Sequence, residues 1–276
     1  MNAPDAQNAP IGVFDSGIGG LSVLKALQAE MPHGHFIYVA DSAHAPYGER
    51  DDQQVITRSQ RISSWLVGQG VSALVVACNT ATAAAIEQLR AAHPNLPIIG
   101  VEPALKPAAE SSQRKAVGVM ATRSTLGSAK FGALLKAQPP DVRFILQACD
   151  GLADAIECSL RSGSTAETIA LCARYISAMG CFDVKNVVAD TLVLGCTHYV
   201  FAEAHLRKLL GPQVQIISTS QAVSRQTRHQ LQHKVQSRST GAGSVRLLAT
   251  GNTAALQTAA SCWLGLAQGT VGQLVL

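Results

Sequence analysis

Aromatic side chains are scarce in this chain, at 4% of 276 residues. A core must therefore be packed from Ala, Val, Leu and Ile, and the interleaved aromatics of a nucleic-acid surface are missing. Charged residues are also few, at 14% against 47% hydrophobic, which is a soluble globular composition with ample material for a packed interior. No apolar run approaches membrane-spanning length, because glycine interrupts each of them. No two cysteines are spaced CxxC. The seven (78, 149, 158, 172, 181, 196 and 262) are odd in number, so neither a disulfide framework nor a zinc-ligand set is expected. The opening "MNAPDAQNAP" has no basic region and no apolar region, so it does not read as a signal peptide. The expectation is a cytoplasmic protein with free thiols.

The net charge of +4 is spread along the sequence. The densest basic stretch, Arg225, Arg228, Lys234 and Arg238, is diluted by Gln, Ser and His and reads as a solvated helix face. A nucleic-acid or membrane partner is not expected; a small acidic ligand fits.

What is present is alternation. Apolar β-rich runs at 11–14, 35–40, 72–77, 97–101, 115–120, 142–147, 190–195, 213–217 and 245–249 read as strands. Amphipathic runs at 18–30, 52–69, 80–92, 103–112, 124–137, 151–161, 165–179, 200–210, 220–235 and 253–264 read as helices. That order argues for an α/β fold built on parallel sheets. Residues 1–10 read as disordered and "SRSTGAGS" at 237–244 as a flexible loop. The βα units fall into two sets. Residues 11–102 with 216–276 would form one lobe and 103–215 a similar second lobe, with a ligand cleft between them at the carboxyl ends of the strands.

The strand ends carry the chemistry. "LVVACNTATAAA" places Cys78, Asn79 and Thr80 where a buried strand turns into a helix, and "DTLVLGCTHY" repeats the device with Cys196, Thr197 and His198. A free cysteine is usually a small buried hydrophobe, and Cys149, Cys158, Cys172, Cys181 and Cys262 are read so. The polar neighbours of Cys78 and Cys196 mark them instead as acid/base groups, and a helix N-terminus after each would favour the thiolate. His198 could relay a proton. "FDSGIGGLSVL" ends a third strand in Asp15 and Ser16. Ser22 stands where a dinucleotide fingerprint needs its third glycine, and no GK[ST] follows for a phosphate loop. A fourth strand end, "DSAHAPYGER", holds the turn Pro46-Tyr47-Gly48, whose backbone N–H groups could bind a carboxylate.

The motifs "FDSGIGGLSVL", "YVADSAHAPYGER", "ACNTATA", "GVMATRSTL", "GCTHY" and "LLATGN", in this order and spacing, resemble those of the cofactor-independent aspartate/glutamate racemases, and among them the glutamate racemases. The resemblance covers the chain from about Ile11 to Gly251. It implies two pseudo-symmetric α/β lobes, each a mainly parallel sheet flanked by helices. It also implies interconversion of L- and D-glutamate without pyridoxal phosphate or metal, D-glutamate supplied to peptidoglycan, and a homodimer. By match to the motifs, Cys78 and Cys196 would be the two acid/bases, supported by Asp15 and His198 respectively. Ser16, Tyr47, Gly48, Asn79, Thr80 and Thr197 fall at substrate-binding positions, and Thr122 and Glu157 match less closely. Cys78 would lie over the face from which D-glutamate loses its proton.

Two positions depart from the family pattern. Val200 follows the Tyr of "CTHY" where Pro is usual, and Asp150 stands in "ACDGLADAIE" where Pro is common. Both bear on loop shape rather than on the reaction. An aspartate racemase would share the paired cysteines but usually lacks the His after CT, so His198 favours glutamate. A two-lobed solute-binding protein would have the same outline, but it would need no strand-end cysteine pair.

Overall fold

The computed structural model describes residues 9–183, 186–232, 242–267 and 269–276. The first eight residues of the stretch expected to be disordered, the end of the helix expected over 220–235, and most of the loop expected over 237–244 lie outside them.

The described chain runs β1 (Ile11–Asp15), α1 (Leu21–Glu30), β2 (His35–Ala40), α2 (Asp52–Gly68), β3 (Ala73–Val76), α3 (Asn79–Ala92), β4 (Ile98–Gly100) and α4 (Leu105–Ser111). It continues through β5 (Ala116–Ala121), α5 (Arg123–Gly127), α6 (Ala129–Lys136), β6 (Arg143–Ala148), α7 (Leu152–Ser162) and α8 (Ala166–Met179). It ends with β7 (Phe182–Asp183), β8 (Asn186–Val187), β9 (Thr191–Leu194), α9 (Glu203–Leu210), β10 (Gln215–Ile217), α10 (Ser220–Gln232), β11 (Ser244–Ala249), α11 (Ala254–Leu264) and β12 (Val271–Gln273). Short 3₁₀ turns cover Tyr47–Glu49 and Thr197–Ala202.

Two all-parallel sheets form the frame. The larger has the order β12-β11-β2-β1-β3-β4 and the smaller β10-β9-β5-β6, while β7 and β8 make a separate antiparallel pair. Parallel strands covered by helices on both faces read as continuous apolar runs, and "ALVV" in β3 and "VFD" in β1 are buried throughout. Successive side chains split between the two faces. Val13, Tyr38 and Val75 pack with α1, α10 and α11, whereas Phe14, Val39 and Val76 pack with α2 and α3. Burying each such side chain contributes roughly 1.5–3 kcal/mol, so aliphatic packing suffices where aromatics are few.

Register decides where the polar groups emerge. Asp15 pairs with Ala40 and Phe14 with Val76, so Asp15, Asp41 and Cys78 leave the larger sheet at one edge. In the smaller sheet Met120 pairs with Leu194 and Ala121 with Ala148, which brings Thr122, Cys149 and Cys196 to its carboxyl edge.

Several expectations need correction. The single helix expected over 124–137 is two, because Ser128 is extended (ψ 146°) and caps α6 by accepting from Phe131 N at 3.1 Å. The chain after Cys196 forms a 3₁₀ turn before α9 begins. Strands β7, β8 and β12 are too short for an alternation pattern to reveal. Cys262 is exposed and Cys158 half-buried, so neither is a core residue.

Candidate active site

The first wall of the cleft is built at the ends of β1 and β3. Asp15 is fully buried and accepts hydrogen bonds from Ser16 N at 2.7 Å, from Gly20 N, and from Ser16 Oγ at 3.3 Å. Burial holds its carboxyl above the usual aspartate range, offset only in part by His198, Cys78 and these donors. Cys78 caps α3, its Sγ accepting from Ala81 N at 3.5 Å and lying 4.0 Å from Ser16 Oγ. The expected helix terminus is therefore there, but such a terminus is worth about 2 kcal/mol at most. Burial, joined by the Asp15 charge, outweighs it and pushes the thiol well up, so Cys78 is held as a thiol.

The second wall has a different makeup. Cys196 follows β9 and makes no cap, since a 3₁₀ turn and not an α-helix comes next. Its Sγ stands 3.8 Å from His198 Nδ1, and His198 Nε2 is 2.8 Å from Glu157 Oε1 of α7. Burial alone would lower the imidazole pKa, but the bonds to Cys196 and Glu157 outweigh it and hold His198 well above the ordinary histidine range. Burial likewise acts to raise Glu157, and His198 overrides it to leave this carboxyl low. His198 and Glu157 thus form a buried ion pair.

Direct bonds tie the walls together. Glu157 also accepts from Ile18 N at 3.1 Å, and Thr197 Oγ1 donates to Asp15 Oδ2 at 3.3 Å. Thr80 and Thr122, one from each wall, meet at 3.1 Å between hydroxyls. These crossings explain the glycine-rich turn after Asp15. A Cβ on Gly17 would overlap the Glu157 carboxylate, and one on Gly19 would overlap His198 and Thr197. Glycine there admits the opposite wall.

Tyr47 and Gly48 form the rim. Tyr47 donates to Asp41 Oδ2 at 2.6 Å, and Asp41 also accepts from Arg58 at 2.8 and 2.9 Å and from Thr250 Oγ1 at 2.7 Å. The "LLATGN" motif thereby reaches the site through Thr250. Arg58, Thr250 and the other donors overcome the burial penalty on Asp41 and keep its carboxyl low. One pocket takes in every sequence-predicted residue except Asp15 and Glu157, which lie a layer behind. It is also lined by Glu49 and Arg123, which sequence reasoning passed over, by Cys149, read there as a packing residue, and by Asp150, read there as bearing only on loop shape. For Cys149 the signal was available, because it ends the strand run "FILQA" just as Cys78 and Cys196 end theirs. Among the described residues, no group of three or more His, Cys, Asp or Glu side chains is placed to hold a metal ion.

Residues 21–227 match the family model Asp/Glu/Hydantoin racemase. The chain is 47% identical over 224 residues to the glutamate racemase of Stutzerimonas stutzeri, covering 81% of this chain and 82% of that one. The crystal structure of glutamate racemase isoform RacE1 from Bacillus anthracis superposes with a TM-score of 0.85 at 31% identity, over 98% of each chain. The Escherichia coli glutamate racemase, solved with L-glutamate and the activator UDP-MurNAc-Ala, gives 0.83 at 26% identity, over 97% of this chain and 98% of that one. With three quarters of its length inside the family model and its whole frame shared with solved relatives, the chain belongs to the Asp/Glu/hydantoin racemase family.

Proposed function

We propose that this racemase interconverts L- and D-glutamate by two-thiol acid/base chemistry and supplies D-glutamate for peptidoglycan. The observation that carries the reading is a single pocket lined by both strand-end thiols, each with its own partner, a carboxylate for Cys78 and an imidazole for Cys196. One thiolate takes the α-proton from one face of the substrate, and the other thiol returns a proton to the opposite face. Base and acid are then exchanged, and the reverse reaction uses them in the opposite roles. The intermediate carbanion is high in energy, so fixed donors must stabilise its charge as it forms. Asn79, Thr80 and Thr197 are suited to that. Asn79 Oδ1, which can only accept, is buried with no hydrogen-bond partner among the described residues, as fits an acceptor whose donor, such as a substrate ammonium, arrives with the ligand.

The same reading takes 11–102 with 216–276 as one lobe and 103–215 as the other. The pairing of β10 with β9 favours a return crossing after Ile217, slightly later than the sequence suggested. It further takes the protein as a cytoplasmic homodimer that binds no nucleic acid. No described helix is long and apolar enough to cross a membrane.

Circular dichroism of L-glutamate with no cofactor added tests the activity, and parallel runs with L-aspartate test the substrate. Loss of ellipticity with glutamate alone is the expected result. Dialysis against chelator and hydroxylamine should leave the rate unchanged. Activity lost and then restored by a metal or by pyridoxal phosphate would overturn the cofactor-independent part.

A further inference from the structure

The pocket mouth carries a feature that the acid/base chemistry does not use. Arg123, the first residue of α5, and Asp150, which precedes α7, both line the pocket, and the guanidinium Nη2 contacts Asp150 Oδ2. Among the described residues lining that pocket, Arg123 is the one side chain with a permanent positive charge, and Glu49 and Asp150 are the carboxylates. Both members of the pair face solvent, with side chains 72% and 47% exposed. An ion pair so exposed is worth roughly 0–1 kcal/mol, so an arriving anion can displace Asp150 from it.

The two partners are not equally free. The carbonyl of Asp150 accepts a hydrogen bond from Tyr175 OH at 2.5 Å, and Gly151 next to it sits in the left-handed region at φ 76°. Asp150 is thus anchored at the head of α7. Arg123 reaches it by a long, solvent-exposed side chain. A guanidinium matches a carboxylate with paired N–H donors.

We propose that Arg123 is a substrate-capture residue. It holds Asp150 when the pocket is empty and exchanges it for a carboxylate of the incoming dicarboxylate, so that Asp150 competes with substrate for one cation. This rests on the racemase reading above. It assigns a use to Asp150, one of the two positions read in the sequence as departures from the motif pattern, and it places Arg123 in binding, away from proton transfer. Because capture precedes chemistry, its loss belongs in KM and in the response to salt.

The test is steady-state racemisation of glutamate in both directions, at low and at moderate ionic strength, for wild type, Arg123→Gln, Arg123→Lys and Asp150→Asn. Arg123→Gln should raise KM about tenfold with kcat within about twofold, as loss of one charge-assisted bond implies. It should also flatten the fall of kcat/KM with added salt. Arg123→Lys should recover part of the affinity. Asp150→Asn removes the competitor and should lower KM by about two- to fivefold, the share of enzyme that an exposed pair of this strength withholds. A wild-type KM and salt response in Arg123→Gln, or a raised KM in Asp150→Asn, would overturn the proposal. A wild-type enzyme that leaves glutamate unracemised would instead sink the racemase reading, so the two failures are distinct.

Discussion

On one wall of the cleft Cys78 stands beside a buried carboxylate, Asp15; on the other Cys196 stands beside an imidazole, His198, with Glu157 behind it. Both thiols end an apolar parallel strand, yet the first caps an α-helix and the second enters a 3₁₀ turn without capping. The difference lies in what surrounds each sulfur. Burial and an anion make the Cys78 proton hard to remove, and the helix N–H at Ala81 recovers only part of that. The imidazole beside Cys196 is held well above the ordinary histidine range by its bonds to Cys196 and to Glu157, which outweigh burial, and it can donate to sulfur. A pseudo-symmetric frame thus carries an asymmetric pair, and the two walls can be broken separately.

The largest effect should come from removing either sulfur. Cys78→Ala and Cys196→Ala should each cut kcat/KM in both directions by about 10³-fold or more, the upper range for a positioned acid/base group. Thermal unfolding should change little. Full activity in either variant would refute the two-thiol assignment. Cys172, whose thiol burial pushes up to about 11, lies in the core of the second lobe. Cys172→Ala should alter packing and leave the activity of folded enzyme intact.

A second contrast concerns stability. At the carboxyl edge of the larger sheet Asp41 is buried against Arg58, while Asp190, just before β9 at the amino edge of the smaller sheet, is held by Ser112 Oγ and the backbone N–H groups of Gln113 and Arg114. Breaking a buried ion pair costs about 3–5 kcal/mol, so Asp41→Asn should lower stability by that order in urea titrations, and Asp190→Asn by less. The folded pKa of Asp41 lies below its ordinary value of 3.8. Its stabilisation is therefore complete above that value and is lost as the pH falls through the lower folded one. The acid-unfolding midpoint of wild type should thus be more pH-sensitive than that of Asp41→Asn.

The frame of this protein was legible because its strands are uninterrupted apolar runs bounded by polar turns, and parallel pairing places those turns at one edge. β1, β2 and β3 fall within a residue or so of where alternation set them. The crossings between walls were not legible. That His198 meets Glu157, or Thr197 meets Asp15, depends on how two sheets dock, and no local period encodes that. Only the glycines at 17 and 19 hinted at it, since their purpose is to leave room for residues more than a hundred positions away. The pairing of each thiol with one helper was also too simple a picture, because Asp15 interacts with Cys78, Thr197 and His198 together.

An intermediate effect follows for the second wall. Glu157→Gln removes one of the two groups, with Cys196, that raise the pKa of His198, and a hydrogen bond to a charged group is worth roughly 1.5–3 kcal/mol. Activity should fall about 10- to 100-fold at neutral pH. The sign with pH is fixed by the raised histidine: its cation, and the stability it brings, are present at low pH and lost as the pH rises through the folded value. Without Glu157 that loss comes earlier, so the alkaline limb of kcat/KM should move to lower pH. An unmoved limb would remove His198 from the titrating group.

The smallest effect would resolve the walls most finely. Enantiomers have equal free energy, so any variant must lower kcat/KM equally in the two directions. The isotope effect is not so constrained, because it reports how far proton abstraction from one face limits the rate. If His198 serves Cys196, then His198→Asn should enlarge the effect with α-deuterated L-glutamate more than with deuterated D-glutamate. If Asp15 serves Cys78, Asp15→Asn should do the reverse. The structure refines the expected sizes. His198 reaches only the second sulfur, at 3.8 Å, whereas Asp15 also accepts from Thr197 of the opposite wall at 3.3 Å and feels the His198 charge. Asp15→Asn therefore disturbs both walls, and its two isotope effects should rise together with a modest bias toward D-glutamate. The His198 variant should be the more lopsided of the pair. Equal effects in both directions for both variants would mean that the helpers act on the cleft as a whole, and the contrast between the walls would have no kinetic counterpart.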